Sequence, residues 1–204
     1  MGRRAQQSVT LQQGLETPLA CGACGVLIET TYCIDPFAVL GLEPSIDVDD
    51  ADLRKRLRRF TRLVHPNFFA LEVEDQQLLS ERNNAILNRA YDVVGDAPSR
   101  ASSLVESLNG PSEKDLGAMP QAFLMEVMEW NETLDESEPG SPALAALEAE
   151  LHTHRDSLVA QISASLTPLP DAGATSLADT RKLLNALRYI DRALARVTGH
   201  PSPL

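Results

Sequence analysis

Apolar residues along this chain recur three and four apart, the spacing of one helix face. No stretch sustains the alternation of a strand bounded by turn residues. In DVDDADLRKRLRRFTRLV, Leu53, Leu57, Phe60 and Val64 form one stripe. Asp47, Asp49 and Asp50 stand where carboxylates suit a helix start, and Pro66 stops the helix. A short helix in DPFAVLGLEP precedes it. A third helix is predicted from about Val73 to Val94, burying Ile86, Leu87, Ala90, Val93 and Val94 and closed by GDAP. The second and third helices, antiparallel across a short turn, bury each other's stripes.

The second half opens with a helical connector, SRASSLVESLNG, ended by Asn109-Gly110-Pro111. Three longer helices follow, over about 119–137, 141–165 and 176–197. The middle one opens on Ser141-Pro142, a cap residue and then proline at the first helical position. The fold class predicted is all-α, a helical hairpin followed by a three-helix bundle. The segments are 1–34 (tail with a partial cysteine knuckle), 35–97 (hairpin domain) and 98–204 (bundle).

The first bundle helix, QAFLMEVMEWNETLDE, carries two apolar faces. Phe123, Val127, Trp130 and Leu134 form the core stripe, and Leu187, Ile190, Leu194 and Val197, with Leu183, form that of the last helix. Rotation by about 100° per residue turns Leu124, Met125 and Met128 sideways to directly away from the core, among Glu129, Glu132 and Glu136. Either this helix is sandwiched between packed neighbours, or the methionines form a surface for a partner with an apolar patch and a basic rim. Tyr189 falls well off its own helix's stripe.

Composition narrows the function classes. A net charge of −11 over 204 residues argues against nucleic acid as the main partner. No apolar run is long enough to span a bilayer, and the first twenty residues lack a secretory apolar core. There is no nucleophile–base pair or phosphate loop, so an enzyme is not expected. Against the overall acidity, Arg54, Lys55, Arg56, Arg58, Arg59 and Arg62 crowd the second helix, which leads into His65-Pro66-Asn67. Such a helix steers an acidic partner, and the proline fixes the geometry of the turn.

The run DPFAVLGL, LRKRLRRFTRLVHPNFF and NRAYDVV resembles a J-domain, whose signature is His-Pro-Asp between the second and third helices. PSRASSLVESLNG, QAFLMEVMEWNETLDE and TRKLLNALRYIDRAL resemble the second domain of the HscB family, J-domain co-chaperones of iron–sulfur cluster assembly. The similarity spans about residues 35–197. It implies an L-shaped two-domain protein that bridges two partners. His65, Pro66, Asn67, Arg54, Lys55, Arg58, Arg59 and Arg62 would dock on a DnaK/HscA-type chaperone ATPase and trigger hydrolysis. Leu124, Met125, Met128, Glu129, Glu132, Glu136 and Tyr189 match the positions that hold an IscU-type scaffold protein. The setting implied is the bacterial cytoplasm or, alternatively, the mitochondrial matrix.

Residue 67 departs from the family: asparagine stands where the signature has aspartate. It keeps the shape and a carbonyl acceptor but loses the charge. Three readings follow: stimulation is lost and the chain only binds scaffold, the chaperone has a compensating contact, or the codon is altered. The full set of six basic residues favours retained docking with altered stimulation.

Cys21 and Cys24 form a CxxC knuckle, with Cys33 beyond. Some eukaryotic HscB relatives carry four cysteines here as a zinc site. In this chain the fourth position, residue 36, is proline, which leaves Asp35 or a second chain to complete the set. The expectation is either free thiols or zinc at an incomplete site, with no cofactor otherwise required. His152 and His154 point to different sides of one helix and are read as surface residues.

Overall fold

The computed structural model describes residues 16–31, 33–116 and 119–199. Seven α-helices account for most of them: α1 Pro36–Val39, α2 Asp50–Val64, α3 Glu74–Gly95, α4 Ala97–Ser107, α5 Gln121–Glu136, α6 Pro142–Ser165 and α7 Ser176–Thr198. Among the described residues the only strand-like pairing is an isolated antiparallel bridge, Ala20 to Leu27. The all-α expectation holds.

Local chemistry sets the boundaries. Asp49 caps α2 by accepting the N–H groups of Ala51 and Asp52 at 2.7 and 3.3 Å, a contribution of about 1 kcal/mol. Asp96 caps α4 through Ser99 N–H at 3.0 Å, and Ser141 caps α6 through Leu144 N–H at 3.4 Å. Thr175 offers α7 no side-chain cap, and Gly199 ends that helix in the left-handed region.

The chain packs as two units. One takes in the described residues up to Glu43 together with Asp49–Asp92; the other takes in Pro44–Val48 and the described residues from Val93 onward. The sequence division at 97/98 lies one turn beyond this one. In the first unit Leu53, Phe60, Val64 and Leu87 are buried, and Leu57 is half-buried. Each fully buried side chain of this size contributes about 1.5–3 kcal/mol.

In the second unit α7 packs against α4, α5 and α6. This widens its buried surface beyond the predicted stripe. Leu184, Asn185 and Ala186 are buried as well as Leu187, Ile190 and Leu194, while Leu183 and Val197 are only half-buried. The reason is that the connector helix α4 covers a second side of α7. Arg181 fastens that side. Only 3% exposed, it donates to Pro111 O at 2.9 Å, Ser102 Oγ at 2.8 Å and Glu106 Oε1 at 3.2 Å. Desolvation weighs against its charge, and Glu106 offsets part of that cost.

Candidate functional sites

In the first unit the basic helix meets the His-Pro-Asn turn. Val64 ends α2, and His65 leaves the helix at φ −68°, ψ 129°, the extended backbone that a following proline requires. Pro66–Phe68 then form a 3-10 turn. Three bonds fix it. Asn67 N–H donates to His65 Nδ1 at 3.2 Å, Phe68 N–H to His65 O at 3.0 Å, and Phe69 N–H to Pro66 O at 2.9 Å. Behind the turn, buried Ser80 of α3 donates its hydroxyl to Val64 O at 2.8 Å, joining the end of α2 to α3. Asn67 is exposed, and its side-chain amide makes no hydrogen bond among the described residues.

The six basic residues of α2 divide by role. Arg56 bonds Asp52 at 2.6 Å and donates to the carbonyls of Leu40 and, through a shorter contact, Gly41. Gly41 has φ +61°, and a Cβ there would stand 2.4 Å from Glu16 O, so only glycine lets the chain pass beneath this arginine. Arg54, Lys55, Arg58, Arg59 and Arg62 are exposed and form no ion pair among the described residues.

Phe68, 67% exposed, stands beside Asn67, and Leu71, Val73 and Leu78 are exposed in the residues that follow. The sequence reading did not mark these four. Leu71 and Val73 lie in irregular chain and Phe68 in the 3-10 turn, where no periodicity distinguishes an outward apolar side chain from a buried one; Leu78 is on α3. Proximity to the turn was the available signal.

In the second unit α5 separates its two faces. Trp130 is buried with Leu147, Leu151, Ile190, Ala193 and Leu194, and Phe123, Val127 and Leu134 pack against that cluster. On the other side Leu124 is 40%, Met125 57% and Met128 70% exposed. Glu129, Glu132 and Glu136 are exposed around them, and no ion pair engages them among the described residues. Of the two sequence readings, packing between neighbours fails for this face. Arg196 of α7 instead serves the flank of α5, bonding Asn131 Oδ1 at 2.5 Å and Asp135 Oδ1 at 2.6 Å. Tyr189 is half-buried with its ring edge-to-face on Phe123, centroids 5.7 Å apart. This places it at the end of α5 that carries Leu124 and Met125, a position the sequence could not assign.

Cys21 and Cys24 share one turn, half-buried and exposed respectively, and Cys33 is exposed. Among the described residues no three His, Cys, Asp or Glu side chains come together as metal ligands. The residues present therefore do not fit a closed zinc site, which takes four donors. His152 lies 4.0 Å from Glu148, and His154 stands edge-to-face with Trp130 at 6.2 Å; neither joins a ligand set. No helix among the described residues is long and apolar enough to cross a membrane.

Comparison with known proteins identifies the class. Residues 119–198 match the model of the HSCB C-terminal oligomerisation domain. The co-chaperone protein HscB homolog of Pseudoalteromonas atlantica is 33% identical over 160 residues, covering 75% of this chain and 91% of that protein. The crystal structure of human co-chaperone protein HscB covers 91% of both chains at a TM-score of 0.76 and 25% identity. Chaperone HscB from Vibrio cholerae, at 22% identity and a TM-score of 0.69, covers 81% of this chain and 96% of that one, and shares the fold. The protein is a non-enzymatic co-chaperone. It belongs to the HscB family.

Proposed function

We propose that this chain holds an IscU-type iron–sulfur scaffold protein on the outer face of α5 and delivers it to a DnaK/HscA-type chaperone ATPase, whose hydrolysis it stimulates. The observation that carries this reading is the exposure of Met125 and Met128 among three free carboxylates, on a helix whose opposite stripe is packed. Flexible thioethers conform to an apolar patch, and the glutamates select a basic rim. Leu124 and Tyr189 extend the surface toward the start of α5.

The chaperone end follows from charge. Five unpaired cations on α2 steer an acidic surface toward the turn. There the free side chain of Asn67 meets the partner, with Phe68 as an apolar anchor beside it. An amide offers a neutral hydrogen bond, about 1 kcal/mol, where a carboxylate offers about 1.5–3. Docking is therefore retained and stimulation is weaker than an aspartate would give.

The test is single-turnover ATP hydrolysis by the cognate chaperone with scaffold present, comparing the native chain with its Asn67→Asp variant. Stimulation by both, larger for the variant, is expected. Stimulation by the variant alone would leave the native protein a scaffold-binding regulator. Stimulation by neither would remove the chaperone from the proposal.

A further inference from the structure

Helix α7 meets α5 along a row of residues three and four apart. Tyr189 rests edge-to-face on Phe123 with centroids 5.7 Å apart, and Arg196 bonds Asn131 Oδ1 and Asp135 Oδ1 at 2.5 and 2.6 Å. Both contacts advance together along the two helices, so α5 and α7 run parallel. Arg192 lies three residues after Tyr189 and four before Arg196, a spacing that keeps it on the same side of α7. Level with it on α5 are the residues between Phe123 and Asn131.

Among those, exposed Leu124 and Met128 precede Asn131 by seven and three positions, so they share the flank of α5 that Arg196 grips. Glu129, Glu132 and Glu136 fall about 100° to 160° round the helix from Asn131, on the edge away from α7. The exposed apolar face therefore has carboxylates along one edge and an arginine beside the other.

That arginine is the exception on its helix. Arg181 pairs with Glu106, Arg188 with Glu113 and Arg196 with Asp135. Arg192 is exposed and forms no hydrogen bond or ion pair among the described residues. Its neighbour Asp191 is taken by Arg155 at 2.8 Å. In a chain with 29 acidic and 18 basic residues, a guanidinium left without a carboxylate is available to one from outside. Its planar fork binds such a group through two parallel hydrogen bonds.

We propose that Arg192 is a specificity residue of the scaffold-binding face, a role that rests on the reading of α5 given above and adds the partner's orientation to it. Arg192 takes a carboxylate of the scaffold at the α7 edge, while the glutamates of α5 take basic groups at the opposite edge. Contact with flexible thioethers makes little directional demand and tolerates several seatings. Opposite charges on the two edges admit one of them. A scaffold seated the other way round sets its acid against Glu132 and its base against Arg192.

The experiment titrates the full chain with the cognate IscU-type scaffold by calorimetry, comparing the native protein with Arg192→Gln, Arg192→Glu and Met125→Glu, and records a thermal melt of each. Arg192 has no partner within its own fold, so its variants should melt with the native protein. At low salt Arg192→Gln should weaken scaffold affinity by about threefold and Arg192→Glu by about tenfold or more. The second loss should shrink as ionic strength rises. Tighter binding by Arg192→Glu would mean that the scaffold is basic at this edge too, and unchanged affinity would mean that no charge meets Arg192; either result overturns the proposal. Loss of affinity in Met125→Glu but not in Arg192→Glu would remove Arg192 and leave the scaffold face standing. No loss in either would remove the face itself.

Discussion

His65 Nδ1 accepts the backbone N–H of Asn67 at 3.2 Å, so the turn closes through the main chain of residue 67 and leaves its side chain free. The conformation is therefore indifferent to whether an amide or a carboxylate stands there. Asn67→Asp should change the unfolding free energy by less than about 0.5 kcal/mol in urea titration. The same variant should raise chaperone stimulation by about tenfold. A large stability change would mean that the side chain helps to build the turn.

Met125 presents an exposed thioether on the outer face of α5. Met125→Glu should weaken scaffold affinity by about tenfold or more, as for a buried anchor, with helical circular dichroism unchanged. Trp130→Ala, on the packed face, should instead destabilise the second unit by about 3–5 kcal/mol. Titration calorimetry and thermal melts separate the two. Unchanged affinity in Met125→Glu would remove this face from the scaffold interface.

Arg56 and Arg58 sit two residues apart on α2 and should behave differently. Arg56→Ala strips donors from the carbonyls of Leu40 and Gly41 and should cost about 1–2 kcal/mol of stability. Arg58→Ala should stay within about 0.5 kcal/mol. It should slow association with the chaperone in a salt-dependent way. Stopped-flow mixing at two ionic strengths reads the second effect.

Arg181 is buried while its partner Glu106 is more than half exposed. Arg181→Ala leaves Pro111 O and Ser102 without their donor and should cost about 2–3 kcal/mol. Glu106→Gln should cost less than about 1 kcal/mol, since the charge it contributes is screened by water. Equal losses would mean that the ion pair, and not the bonds to the connector, holds α4 on α7.

The backbone N–H groups of Ala23 and Cys24 hold the Cys21 thiol below its ordinary range in the folded turn. A lowered folded value means the thiolate persists as pH falls to where an unfolded cysteine is already protonated. Iodoacetamide should therefore alkylate Cys21 in the folded chain down to lower pH than Cys21 in urea. Identical pH profiles in the two states would show that the turn does not hold the sulfur as described.

The helices and the two-faced character of α5 were legible in the sequence, because spacing at 3.6 residues per turn is a local property. Asp49, Ser141 and Pro66 mark boundaries by chemistry that acts within a few residues, and the resemblance supplied the family. Tertiary structure decided what depends on which elements meet. It put Tyr189 against Phe123, and it diverted Arg56 from the basic face to the Gly41 turn. It buried Leu184 and Asn185 beyond the stripe because α4 covers a second side of α7. It joined the segment around the Cys21 turn to α3 through Asn83, which donates to Leu19 O and Ile28 O and which no periodicity singles out. The physical reason is range: propensity, capping and amphipathic spacing act between near neighbours, whereas burial and pairing depend on groups 64 to 79 residues apart, as in the Asn83–Leu19 and Arg181–Ser102 bonds.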